Sequence, residues 1–122
     1  MLKPNIKCHK IGNIYATPHL FILNRGLNSG KPSKTPWVNS FVCLCNDEAE
    51  IDFHYWLLFG LWKAKHFHQF LVGSVIPLLR LGDLNSVIKH QGEAIKLNQS
   101  EYMNTISKIK LIEEKENEFN RK

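Results

Sequence analysis

The most apolar stretch of the chain covers residues 53–62, and five of its ten residues are aromatic. Asp52 closes it on one side, and Lys63 and Lys65 close it on the other. A helix that crosses a bilayer needs about 20 apolar residues, so this stretch is too short to span a membrane. Apolar side chains would lie on nearly every side of the helix, which is typical of a helix inside a protein core. We therefore predict a buried central helix around which the rest of the chain packs.

Signals in the sequence set the bounds of this helix and of those that follow. Asp47 offers an N-cap oxygen and is followed by acidic residues in what would be the first turn, and the helix is expected to end near Lys65. Asp83 after a glycine predicts the N-cap of a second helix, and helical spacing of apolar residues continues almost to the chain end. A capping-box-like pattern suggests a break near Leu97, which would make two helices of this region.

Short apolar runs bounded by turn residues predict the strands. Residues 19–24 and 41–45 are the two clear candidates, and residues 11–16 form a weaker one. Between the clear candidates lies a stretch rich in Gly, Asn, Ser and Pro, residues 24–40, which we call the basic loop. Loops of more than about 12 residues in a compact domain are often binding loops.

Length and composition limit the architecture to one ordinary domain, because the chain has 122 residues of which 43% are apolar. We predict an α+β fold, with a small twisted sheet of short strands packed on a buried central helix and with a long C-terminal helix. Residues 1–97 are expected to form the α+β domain, and residues 98–122 are expected to form a C-terminal helical arm.

Three cysteines, an odd number, and the lack of an apolar leader in residues 1–14 favour a reduced compartment, and we expect a cytoplasmic protein with no membrane segment. Cys43, Cys45, His54, His66 and His68 are the residues from which a zinc site could be assembled. Their spacing differs from that of structural zinc sites, whose paired ligands lie two to four residues apart. The segment from Gly26 to Lys31 also lacks the spacing of a nucleotide-binding P-loop. We expect no metal, no cofactor and no enzymatic activity.

Charge divides the chain unevenly along its length. Residues 1–46 contain six Lys or Arg and no Asp or Glu, although the net charge of the whole chain is only +5. An all-positive segment is typical of a surface that binds a polyanion such as nucleic acid. The alternative is that these lysines only keep the protein soluble.

The basic loop is the predicted binding surface. Its candidate nucleic-acid-binding residues are Asn24, Arg25, Asn28, Lys31 and Lys34, where the cations would contact phosphates and the two asparagines would contact base edges. Gly26 and Gly30 are expected to form tight turns whose backbone amides approach a ligand closely.

Two further groups of residues are predicted to shape the molecule. Gly73, Ser74 and Pro77 are expected to form a structural turn with an extended segment. Tyr102, Ile106, Ile109 and Ile112 form an apolar stripe along the last helix. This interaction helix would dock a partner protein or a second copy of the chain, or alternatively fold back on its own domain.

Residues 53–84 combine an aromatic-rich helix, an apolar turn segment that begins with Gly73-Ser74, and Asp83-Leu84 at the start of a helix. In this combination the chain resembles the end of a target recognition domain of type I restriction specificity subunits, and the order of elements is similar over about residues 12–119. The resemblance implies an α+β domain that reads one half of a bipartite DNA site. Residues 24–32 and 73–77 are also similar to a small uncharacterised family carried by Bacteroidota and their mobile elements.

These observations predict a non-enzymatic DNA-binding module that contacts the phosphate backbone through the basic loop. The alternative is a protein-interaction or assembly subunit that docks its partner through the C-terminal helix. A small enzyme that uses Cys43 or a histidine is a third hypothesis.

Overall fold

The computed structural model of the protein describes residues 5–73, 75–97 and 99–120. Within these ranges the strands are β1 (Asn5–Cys8), β2 (His19–Leu23), β3 (Pro32–Ser33) and β4 (Ser40–Leu44), and the α-helices are α1 (Glu48–Lys63), α2 (Leu81–Leu97) and α3 (Gln99–Asn120). A 3-10 helix at His66–Phe70 lies between α1 and α2. The predicted α+β fold is confirmed, and the last helix is long.

The four strands form one antiparallel sheet in the order β1-β4-β2-β3. Its register places Leu20 beside Cys43 and Cys43 beside Ile6. Because side chains alternate between the faces of a sheet, these three lie on one face, which we call the inner face. Phe21 and Val42, paired in the next row, lie on the opposite outer face.

The helices cover the inner face of the sheet. One buried cluster joins Ile6, Leu20, Ile22, Phe41, Cys43 and Cys45 to Ile51 and Leu58 of α1, to Phe67 and Leu79, and to Leu84, Val87 and Ile88 of α2. Full burial of one such aliphatic or aromatic side chain stabilises a fold by about 1.5–3 kcal/mol. This single cluster therefore ties the sheet, α1 and α2 into one unit.

Both clear strand predictions are confirmed by β2 and β4. The weaker candidate at residues 11–16 is wrong, because residues 11–12 form a turn and residues 13–16 have no regular secondary structure, and the strand before β2 is Asn5–Cys8. This strand lies at the sheet edge and buries only Ile6, so its sequence has little apolar signal. The basic loop also contains the two-residue strand β3, which pairs with β2.

The central helix begins and ends close to its predicted bounds. Asp47 is its N-cap and accepts a hydrogen bond from the backbone N–H of Glu50 at 2.9 Å. In return, the carboxylate of Glu50 accepts from the backbone N–H of Asn46 at 2.8 Å. These paired bonds satisfy free amides at the helix start, which explains why the helix begins here.

The second helix begins three residues earlier than predicted. Asp83 is not its N-cap, since the helix begins at Leu81 and Asp83 lies in the first turn. There its carboxylate pairs with the Arg80 side chain at 2.9 Å. The negative carboxylate is also stabilised by the positive N-terminal end of the helix dipole. The predicted break near Leu97 falls at Asn98, which lies outside the described residues; α2 is described to Leu97 and α3 from Gln99.

The long helix α3 packs against α1. Lys110 pairs with the Asp52 carboxylate at 3.0 Å and lies 5.5 Å from the ring centre of Trp56, and Lys63 pairs with Glu116 at 3.5 Å. Ion pairs between exposed side chains stabilise a fold only slightly, so they align the two helices more than they hold them. None of the helices in the described ranges is long and apolar enough to cross a membrane.

Candidate nucleic-acid interface

The backbone of the basic loop is engaged within the fold. The amide of Gly26 donates to the carbonyl of Pro77 at 2.6 Å, and the amide of Gly30 donates to the carbonyl of Leu23 at 2.7 Å. Both glycines have positive φ, of 92° and 98°, which glycine adopts without strain. The tight turns are present as predicted, but neither amide is free to bind a phosphate.

Contacts with the helical layer explain why the loop folds inward. A side chain on Gly30 would overlap the ring of Phe67, so the loop approaches the 3-10 helix closely only because residue 30 has no Cβ. Beside this contact, a ring nitrogen of His68 lies 3.1 Å from the carbonyl oxygen of Leu27. The ammonium of Lys31 lies 4.9 Å from the ring centre of Trp62 in α1.

The predicted phosphate-binding cations do not meet at one point. Lys31 lies over Trp62, whereas Lys34 lines a hollow next to Tyr15 and His19 on the other side of the loop. Arg25 is exposed, and its backbone forms an isolated antiparallel β-bridge with Leu78. A ligand that met all three cations would have to be extended, as a nucleic-acid backbone is.

The two asparagines of the predicted site differ in exposure. Asn28 is exposed and its carbonyl accepts from the amide of Lys31 at 3.1 Å. Asn24 is half-buried, and both its amide and its carbonyl are hydrogen bonded within the fold, to Asn39 and Leu79. Of the two, Asn28 has the more accessible side chain.

The segment that begins at Gly73 forms a turn that backbone contacts close. Val72 and Leu78 exchange two backbone hydrogen bonds of 3.0 Å and 2.8 Å and so close the turn. Gly73 has φ of 104°, and a Cβ there would lie 3.0 Å from the carbonyl oxygen of Ile76. Pro77 supplies the carbonyl that binds Gly26, while Ser74 lies outside the described residues. The expected extended segment is limited to the bridge between Val72 and Leu78.

The apolar stripe of α3 is divided between an inner and an outer side. Ile106 is buried. Ile109 contacts α1 at Gly60, where the Cβ of any other residue would lie only 3.1 Å from Cδ1 of Ile109. Ile112 is 56% exposed, next to the exposed Leu111. Tyr102 lies in α3 by its backbone, and its side chain is outside the described part of the molecule. Ile106 and Ile109 thus fold back on the chain's own domain.

A cluster of rings on the outer face of the sheet was not anticipated from the sequence. The ring of Phe21 lies 4.9 Å from that of His9 and 5.3 Å from that of His19, measured between centroids. The ring centroid of Tyr15 lies 5.3 Å from that of His19. The Tyr15 hydroxyl forms a 2.8 Å hydrogen bond with Nδ1 of His9. We call His9, Tyr15, His19 and Phe21 the aromatic cluster. Alternation along β2 could have indicated it, because His19 and Phe21 must face away from the buried Leu20.

Two buried polar groups lie on the helical side of the sheet. The Sγ atoms of Cys43 and Cys45 are 3.9 Å apart, and the hydrogen bond between them, together with burial, raises the pKa of Cys43. His54 of α1 is buried, and its Nδ1 has no hydrogen-bond partner among the described residues. Burial lowers the pKa of His54, although the Glu50 carboxylate acts in the opposite direction. No group of three or more His, Cys, Asp or Glu within the described ranges could hold a metal ion.

The fold and this surface define a small α+β protein with a basic sheet layer backed by helices. Residues 6–122 match the model of a family of unknown function, DUF6943, and the chain belongs to that family. No curated protein and no solved structure matches the chain.

Proposed function

We propose that the protein is a non-enzymatic DNA-binding module, related in its order of elements to restriction target recognition domains, and that its sheet layer binds the phosphate backbone. The observation that carries this proposal is the separation of charge between the two layers. Residues 5–46 supply the sheet and its loops, and they hold five Lys or Arg and no Asp or Glu. Residues 47–122 supply the helices and hold ten Lys or Arg and all eleven acidic residues.

The exposed cations of the sheet layer are available for phosphates. Lys7, Lys10, Arg25 and Lys34 are exposed, and none of them forms an ion pair within the described part of the chain. Lys31 is half-buried and lies against Trp62, so its contribution to binding is expected to be smaller. Each phosphate that a cation neutralises releases counterions, which gives the binding its salt dependence.

The experiment compares two triple variants that lose the same net charge from different layers. Lys7, Lys10 and Lys34 are replaced by Ala in one, and the exposed helical residues Lys89, Lys108 and Lys115 are replaced by Ala in the other. Binding to a short DNA is measured by fluorescence anisotropy over a range of salt concentrations. Each lost contact lowers the slope of log K against log salt by about 0.7 for a single strand and about 0.9 for a duplex.

The sheet-layer variant is therefore expected to lower the slope by about 2 on a single strand, while the helical-layer variant keeps the slope of the parent. Equal losses in both variants would mean that only net charge matters and would refute the proposed surface. A parent protein that does not bind DNA at low salt refutes the DNA-binding function itself.

Docking of a partner protein or of a second copy through α3 is the second candidate function. It is favoured by the neighbouring apolar residues Leu111 and Ile112, which are 51% and 56% exposed. The pair is small beside the area of about 800 Å² per partner that a stable interface buries, so further surface would have to contribute.

A further inference from the structure

A groove of about 430 Å³ lies on the outer face of the sheet, where the aromatic cluster forms one wall. Trp37 from the basic loop lines the same groove. This volume is within the range of about 300–1,000 Å³ that small-molecule sites occupy. The groove is formed by the C-terminal part of the basic loop and by the outer face of the sheet, and does not involve the inward-folded turn at Gly26 and Gly30.

Hydrogen bonds hold the rings of the groove in place. Nδ1 of His19 lies 2.8 Å from the carbonyl oxygen of Thr17, and because a carbonyl can only accept, this nitrogen carries the proton. The bond between His9 and Tyr15 fixes two more rings, and Phe21 packs beneath them with only 3% of its surface exposed. Fixed rings lose little conformational freedom when a flat ligand stacks on them.

The edge of the groove is apolar and uncovered. Ile11 is 75% exposed, Ile14 is 94% exposed and Val38 is 70% exposed, and all three line the groove. Apolar side chains of this size are rarely left so exposed together unless they bind something. The ligand therefore has at least one flat or apolar surface.

The charge around the groove selects the kind of ligand. None of the residues that line it, all of them in the described part of the chain, is acidic. The ammonium of Lys7 lies 5.9 Å from the ring centre of Tyr15, and Lys10 follows His9 directly in the chain. Lys34 lines the neighbouring hollow together with Tyr15 and His19, and the acidic Glu48 lines that hollow as well. A groove with aromatic walls, no acidic lining residue and a cation near Tyr15 is complementary to a molecule with flat faces and negative charge.

We propose that this groove binds an unstacked base of a single-stranded nucleic acid, while Lys7, Lys10 and Lys34 bind the phosphates on either side of that base. This inference rests on the proposed function and adds the form of nucleic acid that is bound. The bases of a duplex are stacked on one another and expose only their edges, so they cannot lie flat on Tyr15 or Trp37. Aromatic platforms flanked by cations bind single strands with little sequence preference.

The test compares three DNA ligands of equal length and charge per strand. They are an oligothymidylate of about 15 nucleotides, an abasic phosphodiester of the same length, and the duplex form of the first. Binding is measured by anisotropy with the full-length protein. Because the chain has three tryptophans, the part of the fluorescence quenching that Trp37→Phe removes reports stacking on Trp37. The oligothymidylate is expected to bind more tightly than the abasic strand by about 5- to 150-fold, the range for one stacked base.

Paired variants assign any preference for bases to the groove. Tyr15→Leu and Trp37→Leu remove a ring, whereas Tyr15→Phe and Trp37→Phe keep one at each position. The Leu variants are expected to bind the oligothymidylate as weakly as the abasic strand, and the Phe variants are expected to bind it within about twofold of the parent, a limit small beside the stacking effect. Circular dichroism confirms that each variant is folded. If a Leu variant does not fold, the Phe variants and the abasic ligand still decide the question.

The outcomes separate this inference from the proposed function. Equal, salt-dependent binding of the oligothymidylate and the abasic strand overturns base binding and leaves phosphate binding intact. Tighter binding of the duplex than of the single strand has the same consequence. Quenching of tryptophan fluorescence by an uncharged apolar peptide, but not by the oligothymidylate, assigns the groove to a protein partner and overturns the inference. Lack of binding to all three DNA ligands at low salt refutes the proposed function as well.

Discussion

Gly30 is the residue at which the basic loop comes closest to the helical layer. Its φ of 98° and the ring of Phe67 beside it both exclude a side chain. Gly26 has a similar φ of 92°, but no atom lies within 4 Å of the position that its Cβ would occupy. The two glycines therefore separate the cost of backbone strain from the cost of a steric overlap.

We expect Gly26→Ala to lower the free energy of unfolding by about 1–2 kcal/mol, because an alanine is strained at positive φ. Gly30→Ala adds the overlap with Phe67, for which overpacking typically costs about 1–3 kcal/mol more. Urea denaturation of both variants measures the difference. The additional loss should shrink when Phe67 is replaced by Leu, and equal losses in Gly26→Ala and Gly30→Ala would show that the ring contact contributes nothing.

His54 is a second residue whose burial has a measurable consequence. In the unfolded chain its imidazole titrates near the ordinary pKa of about 6.5, and burial lowers this pKa in the fold. Below about pH 6.5 the unfolded state therefore binds a proton that the folded state does not bind. His54 lowers the stability of the protein as the pH falls from about 6.5 to its folded pKa, and it has no such effect at higher pH.

We expect His54→Leu to reduce the loss of stability between about pH 7 and pH 5, because leucine has no proton to bind. At neutral pH the variant should be more stable by about 1 kcal/mol, since a buried polar atom without a partner is costly. Urea denaturation at several pH values measures both effects. Replacement of the exposed His90 by Gln serves as the control and should keep the pH dependence of the parent. An unchanged pH dependence in His54→Leu would contradict the assignment.

At the scale of elements, the sequence predicts what local signals determine. The cap at Asp47 and the apolar run behind it define α1, and the apolar runs in β2 and β4 define these two strands. β1 is missed because an edge strand with one buried residue, Ile6, carries almost no apolar pattern. Long-range pairing with β4 decides its existence, and a single sequence contains no direct record of such pairing.

The candidate site is less predictable than the fold because neighbours in sequence are not neighbours in space. Lys31 and Lys34 are three residues apart, yet one lies over Trp62 and the other lies beside Tyr15. The two residues of β3 lie between them, and because side chains alternate along an extended strand, positions three apart point to opposite sides. Charge composition indicates a basic layer, whereas the groove on that layer requires the tertiary fold.

At the scale of the whole molecule, the packing of α3 on α1 favours a helix that belongs to the folded unit over a separate arm. Its inner side packs on α1 at Ile106 and near Gly60, and ion pairs lie on both sides of this contact. An arm would leave residues 1–97 equally stable without it. A helix that belongs to the unit contributes to the stability of the whole, since α1 is at the centre of the core.

We expect removal of residues 98–122 to lower the stability of the protein by at least about 1.5 kcal/mol, because the cover over α1 includes the buried Ile106, and full burial of one such side chain contributes about 1.5–3 kcal/mol. Two substitutions on α3 provide a matched pair within the full-length chain. Ile106→Ala removes a buried side chain and should cost about 2–4 kcal/mol, whereas Ile112→Ala removes an exposed one and should change stability by less than about 0.5 kcal/mol. Urea denaturation measures stability, and sedimentation analysis measures the mass of each variant. If instead Ile112→Ala dissociates an oligomer while Ile106→Ala and the truncation leave stability unchanged, α3 is a docking arm and the second candidate function replaces the first.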